Sequence, residues 1–308
     1  WEWTNKHGGI ILKQLKKLGA SCDWDRTTFT MDDNYYNEVI NVFCDLHDKG
    51  FIYRGERMIN WDPKAKTAIS DEEVIYKEQK SKLYYVNYKL LDSNEFLTVA
   101  TTRPETILGD TGLCVNPNDQ RYKKLIGKKV LVPIINRKIP IVSDHYIDPE
   151  FGTGVLKVTP AHDINDFNIG KKNNLEIINV INDSGLMNSN ATSFTGMDRF
   201  FARKKIIEDI DSIGQLSKFE DILNKVGYSE RTNVVIEPKL SSQWFLKMDN
   251  ISKKALESVV DGEINFYPSK MVGTYKHWLE NIKDWCLSRQ LWWGNQIPVF
   301  YYNDNEYV

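Results

Sequence analysis

The sequence predicts an α/β protein in which a β-rich domain interrupts a more helical one, and three observations carry that expectation. Apolar residues recur at helical spacing near the start. Short branched and aromatic runs, separated by Gly, Pro, Asn and Asp, fill the middle, and helical spacing returns after Pro238. At 308 residues with 41% hydrophobic content, the chain has apolar material for two compact units.

Taken in order, GIILKQLKKL (9–18) predicts a first helix, and 31–46 a second, with Asp32 and Asp33 as capping candidates and Gly50 beyond its end. Residues 51–61 read as an extended segment, and 62–73 as a connection. From Leu83 to about Leu240, YYVNYKLL, FLTVATT, KKVLVPII, RKIPIVSDHYI, GVLKVTP and EIINVIN predict strands. Helices are predicted near Asp163 or Asp166, over 197–216, over 252–259 and over 274–282, and YYNDNEYV reads as strand, turn and strand. No solenoid-length repeat is present. The opening at Trp1 and the close in mid-pattern at Val308 suggest a piece of a longer chain.

Composition excludes several classes. No apolar run approaches the roughly 20 residues that span a bilayer, and WEWTNKHGG lacks the pattern of a signal peptide, so a cytoplasmic protein without a membrane partner is expected. Cys22, Cys44, Cys114 and Cys286 lie far apart with no CxxC pair and read as free thiols. A net charge of -2 gives no bulk attraction for a polyanion, so a nucleic-acid partner would need a local basic face.

Two polar segments follow apolar runs: TTRPETILGDTG (101–112) and FGTGVLKVTPAHDINDF (151–167). Pro104 forces Arg103 out of helical geometry and so places its guanidinium. Alternation in VLKVTP sends Lys157 and Thr159 to one face, while Gly152 and Gly154 permit close backbone approach. Asp163 and Asp166 share the first turn of the next helix, where carboxylates are favoured. Simpler assignments stay open: Thr101, Thr102 and Thr106 as turn-satisfying β formers, Arg103 paired with Glu105, and Asp163 as a helix cap. His162 beside Asp163 and Asp166 resembles a metal cluster, but adjacency turns His162 and Asp163 to different faces and no second His is near, so no metal is expected.

TTRPETILGDTG, EFGTGVLKVTPAHDINDF, EPKLSSQWF and DWCLSRQLWWGNQIP, in this order, together with GASCDWDR and INWDPKAKTAISDEEV, resemble the valyl-tRNA synthetases, a class I aminoacyl-tRNA synthetase family, over nearly the whole chain. Isoleucyl enzymes tend to carry TTRPWT and leucyl enzymes TTRPDT with SRQRYWG. The resemblance implies a β-barrel-like editing domain at 76–238, inserted between partial segments of a Rossmann-type catalytic domain at 1–75 and 239–308.

Its implied chemistry is hydrolysis of threonine wrongly esterified to tRNA(Val), because threonine is nearly isosteric with valine and the discrimination known for valyl enzymes' hydrophobic pocket is only about a hundredfold. Motif by motif, the resemblance implies catalytic roles for Asp166, Lys157 and Arg103. It implies an editing pocket containing Thr106, Phe151, Thr159 and Asp163. Asp166 would anchor the α-amino group, Thr159 with Asp163 would read the side-chain hydroxyl, and Lys157 and Arg103 would meet the terminal adenosine or developing oxyanion. Trp293, beside Trp292, would line the valine pocket of the complete enzyme.

The implied partners are the tRNA(Val) acceptor end, threonine and valine, with a monomer expected. Lys171, Lys172, Arg203, Lys204 and Lys205 are candidate tRNA contacts, with Lys123, Lys124, Lys128 and Lys129 as a second set. Editing needs no cofactor, whereas the complete enzyme would use ATP with Mg. HIGH-like and KMSKS-like signatures are absent, so aminoacylation by this piece is not expected. Asp62-Pro63-Lys64 stands where some relatives carry a cysteine pair, so structural zinc is not expected either. The rival expectations are an isoleucyl editing domain, a non-hydrolytic module that binds the acceptor end, and a β scaffold whose polar segments only cap strands.

Overall fold

Local sequence rules account for most elements of the computed structural model, which describes residues 1–303 and 305–308. In chain order these are α1 (Glu2–Lys17), α2 (Asp33–Asp48), β1 (Ile52–Asp62), β2 (Thr67–Ile69), β3 (Val74–Leu90), β4 (Phe96–Thr101), β5 (Gly112–Val115), β6 (Lys129–Leu131), β7 (Lys138–Ser143), β8 (Val155–Val158), α3 (Ile164–Lys172), α4 (Arg199–Ser212), β9 (Leu216–Ser229), β10 (Glu237–Leu246), α5 (Asp249–Val260), α6 (Met271–Glu280), β11 (Trp285–Cys286), β12 (Phe300–Tyr302) and β13 (Asn305–Tyr307). The chain divides into two compact units, Trp1–Gly50 with Trp292–Val308, and Phe51–Leu291.

The first unit holds α1, α2 and the β12–β13 hairpin, in which Phe300 faces Tyr307. Helix α1 begins seven residues before the apolar spacing does, with Glu2 in its first turn and Lys16 and Lys17 in its last, as the helix dipole favours. Asp32 precedes α2, but its carboxylate accepts from the Phe29 amide at 2.9 Å instead of capping the helix. Gly50 follows with φ 71°, a left-handed conformation that suits a residue without Cβ.

The second unit contains two sheets. One has the order β11-β10-β1-β2, with β1 and β10 antiparallel from Ile52 opposite Leu246 to Trp61 opposite Glu237. The other follows β4-β3-β6-β7-β5-β8, with β9 paired to β3 along most of its length. Strands β5 and β7 run parallel and the other pairs run antiparallel. The end strands β4 and β8 approach each other, so this sheet curls toward a barrel around Val86, Tyr88, Val99, Leu113 and Val130, with Ile206 and Ile210 of α4 joining the same core. The unit also takes in residues 51–75 and 239–291, which the sequence divides between the flanks.

Two strand expectations differ from the structure. Strand β3 begins at Val74, nine residues before the expected β texture, because Val74–Lys82 lies in a largely exposed ribbon with β9, where no buried face imposes alternation. EIINVIN (176–182) is not a strand, although Ile181 bridges Met187. The Val180 amide donates to His162 Nε2 at 3.0 Å and the Ile181 amide to Asn179 Oδ1 at 2.9 Å, so side chains take the place of a ladder.

Gly152 and Gly154 both have positive φ, 60° and 74°, and the turn they form aims β8 at the barrel. A Cβ on Gly154 would lie 2.6 Å from Arg121 Nη2 and 3.1 Å from the Pro149 carbonyl. Gly154→Ala should therefore cost about 1–3 kcal/mol from strain and overpacking. Urea unfolding checks this, and an unchanged midpoint would remove the close-approach argument.

Candidate functional site

The 3-10 turn over Pro104–Gly109 follows β4 directly, with Pro104 in its first turn, and all six of its residues are buried. Beside it, β8 brings Lys157 alongside, Thr159 follows at the end of that strand, and Asp163 caps α3. Lys157 is buried, and its ammonium donates to Thr106 Oγ1 at 2.8 Å, to Asp110 Oδ1 at 3.1 Å and to Thr159 Oγ1. An ammonium has three donors, so this one is fully used.

The two hydroxyls have fixed directions as a result. Thr159 Oγ1 donates to Asp110 Oδ1 at 2.6 Å, and Thr106 Oγ1 donates to the Arg103 carbonyl at 3.0 Å. Having given their protons away and accepted one from Lys157, both retain only acceptor capacity. Asp110 is completed by the Tyr88 hydroxyl at 2.5 Å. Burial pushes the Asp110 carboxyl up, against the lowering effect of Lys157 and its hydrogen bonds. Burial also raises the Tyr88 phenol well above its ordinary value.

Asp166 closes the cluster, accepting from the Thr159 amide at 2.8 Å. Burial, reinforced by Asp163 and opposed by Lys157, pushes its carboxyl up to about 7. Asp163 Oδ1 caps α3, accepting from the amides of Asn165 at 2.7 Å and Asp166 at 3.1 Å.

Arg103 belongs to a second, ionic cluster. Its guanidinium donates to Glu105 Oε1 at 3.1 Å, to the His162 carbonyl at 3.0 Å and to Glu237 Oε1. Glu105 is fully buried and takes both Arg203 Nε at 2.7 Å and Arg203 Nη2 at 2.8 Å. Arg199 Nη1 lies 3.3 Å from Glu237 Oε2. Three guanidinium groups thus share two carboxylates. Burial opposes ionisation of Glu237, but Arg103, His162 and Arg199 hold its carboxyl at about 2. Burial lowers the His162 imidazole, against the raising effect of the Glu237 carboxylate.

Of the seven expected site residues, the structure joins Thr106, Lys157, Thr159 and Asp166 directly, with Asp163 attached through the cap and Arg103 through its carbonyl. Phe151 stands apart at 80% exposure. An open groove of about 1250 Å³ passes Thr102, Arg103, Asp163 and Phe200, along the edge of the cluster. Asp110 and Glu237 are central to the two clusters and absent from the sequence-level set. Asp110 lies inside the quoted motif but reads as an ordinary turn residue in GDTG, and Glu237 lies 134 residues from Arg103.

Several expected tRNA contacts are already engaged: Arg203 with Glu105, Lys172 with Asp144 at 2.9 Å, and Lys205 with Asp209 at 3.0 Å. Lys123, Lys124, Lys128, Lys129, Lys171 and Lys204 are exposed and make no ion pair among the described residues. In the first unit Trp293 is half-exposed, with its ring 5.3 Å from that of Trp1. Among the described residues no group of three or more metal-ligating side chains is present, and no helix is long and apolar enough to cross a membrane.

A family model described as tRNA synthetases class I (I, L, M and V) matches residues 1–308. The chain belongs to the class I tRNA synthetases. Within that family it is 60% identical to a valine–tRNA ligase of Parabacteroides distasonis over 308 residues, all of this chain and 35% of the relative. A valine–tRNA ligase of Bacteroides fragilis matches at 60% with the same coverage, and one of Chlorobaculum tepidum at 53% over 302 residues, 98% of this chain and 33% of the relative. The chain thus spans about a third of the length of these curated synthetases.

Proposed function

We propose that the cluster hydrolyses the threonyl ester of mischarged tRNA(Val), within a synthetase whose complete form joins valine to tRNA(Val) using ATP and Mg. The observation that supports this reading is the saturated Lys157 ammonium, which leaves Thr106 and Thr159 able only to accept. A threonine β-hydroxyl that reaches these two buried oxygens from the groove edge has a proton to donate to them. A valine methyl has none, and would leave an acceptor without a partner, at a cost of about 1–3 kcal/mol.

In this reading Asp166 binds the α-ammonium, and Thr159 with Asp163 binds the β-hydroxyl. Lys157 acts by orienting the two threonines. Arg103, at the groove, faces the terminal adenosine and the oxyanion, and exposed Phe151 becomes a wall only against bound ligand. Water adds to the ester carbonyl and the bond to the ribose oxygen breaks. That oxygen takes a proton, and free threonine leaves. An aminoacyl ester is already activated, so a positioned water and charge stabilisation suffice. Trp293 is assigned to the valine pocket, and the unpaired lysines to tRNA phosphates.

The chain incubated with Thr-tRNA(Val) and with Val-tRNA(Val) tests this. The threonyl ester should be cleared roughly 5- to 150-fold faster, the ratio that an unpaired acceptor costing about 1–3 kcal/mol gives. Equal rates overturn the hydroxyl-reading site, binding without turnover favours a holding module, and preferential clearance of Val-charged isoleucine tRNA favours the isoleucyl alternative.

A further inference from the structure

Glu237 opens β10, opposite Trp61 of β1, and so belongs to the sheet that does not carry the hydrolytic cluster. It precedes Pro238, which keeps its backbone extended, and it is 4% exposed. Its Oε1 accepts from Arg103 Nη2 and lies 3.4 Å from His162 Nδ1, while Oε2 faces Arg199. His162 Nε2 accepts from the Val180 amide, which assigns the ring proton to Nδ1, on the Glu237 side. One carboxylate therefore reaches a side chain from each polar segment.

Both contacts lead into the cluster. Arg103 receives the Thr106 hydroxyl on its carbonyl, and Thr106 accepts from Lys157. His162 bonds through its amide to the Thr159 carbonyl at 3.0 Å and immediately precedes Asp163. Without the Glu237 carboxylate, Arg103 keeps only Glu105 as an anionic partner and His162 loses the charge beside Nδ1. Geometry at a reacting centre matters on this scale, since a displacement of about 1 Å costs roughly a hundredfold in rate.

We propose that Glu237 is a positioning residue for the ester hydrolysis, holding the Arg103 turn and the His162–Asp163 segment in register from a strand outside the barrel. It touches no reacting atom and acts through Arg103 and His162. The proposal rests on the hydrolytic reading above.

The test compares wild-type chain with Glu237→Gln and Glu237→Asp on Thr-tRNA(Val), at a temperature where circular dichroism shows all three folded. Gln keeps the shape and loses the charge, and Asp keeps the charge with a shorter reach. Expected is a fall in kcat of about 10- to 100-fold for both, with KM changed less than about threefold. A purely structural role would lower the folded fraction and leave kcat per folded molecule unchanged, and that result overturns the proposal. Should Glu237→Gln not fold, Glu237→Met combined with Arg199→Met removes the carboxylate together with one of its cations, an exchange that folds tolerate. The same kcat loss is expected there, and full activity overturns the proposal. Wild-type chain that leaves Thr-tRNA(Val) intact sinks the hydrolytic reading itself, whereas active wild type with equally active variants sinks only the role of Glu237.

Discussion

Asp110→Ala should lose about 3–5 kcal/mol of stability, the penalty for leaving one member of a buried ion pair without its partner. The Lys157 ammonium is 7% exposed as a residue and would retain only the hydroxyls of Thr106 and Thr159. The Tyr88 hydroxyl, in a side chain with no exposure, would lose its acceptor as well. Adding Lys157→Met should recover part of the loss, because it removes the stranded charge and leaves only the hydroxyls of Thr106, Thr159 and Tyr88 to find partners. Urea midpoints of the two single variants and the double variant give the coupling directly. A cost below about 1 kcal/mol for Asp110→Ala would mean that water or backbone movement serves Lys157 as well as the carboxylate does.

Asp166 gives the second large effect, in both stability and rate. Its carboxyl is raised from 3.8 to about 7, so between those values the folded chain binds a proton that the unfolded chain has released. Folding then weakens as pH rises through this window, and the cost is complete above the folded value. Asp166→Asn removes the charge and can still accept from the Thr159 amide. The variant should match wild type below pH ~4 and exceed it above pH ~7, by at most about 4 kcal/mol and by about 2 if the site relaxes. The same change should lower threonyl-ester hydrolysis by 100-fold or more, because the carboxylate assigned to the ammonium is gone and its neighbour Asp163 is engaged as the cap of α3. Above the uncatalysed background, wild-type rates should rise through pH 7 as Asp166 ionises, and the variant's should be flat. Equal pH–stability curves for the two proteins would remove the burial argument, and undiminished hydrolysis would remove Asp166 from the site.

These two residues show how far the sequence can be read. Asp166 was legible because the spacing of Asp163 and Asp166 lies within one helical turn, and the observed cap at Asp163 preserves that relation. Lys157 and Thr159 were legible from strand alternation. Asp110 was not, because an aspartate between two glycine-bearing turns has an ordinary local explanation, and its burial is decided by Tyr88 and Lys157 arriving from other strands. Glu237 was hidden for the same reason at greater range. Phe151 shows the converse: its motif position suggests a wall, whereas the turn that carries it leaves the ring in solvent. Among the elements, β4, β8 and α4 announced themselves by period. The first half of β3 did not, since a ribbon exposed on both faces has no apolar side to display.

The charge cluster of Arg103, Arg199 and Arg203 with Glu105 and Glu237 holds one more cation than anion, and most of it is walled off from water. Mobile counterions neutralise exposed lysines within about 10 Å at 0.1 M salt, but they cannot enter a packed interior. Raising ionic strength should therefore erase the pull of the outer lysines on a polyanion first. The surplus beneath the groove persists as a short-range field, felt by a phosphate only after it has docked.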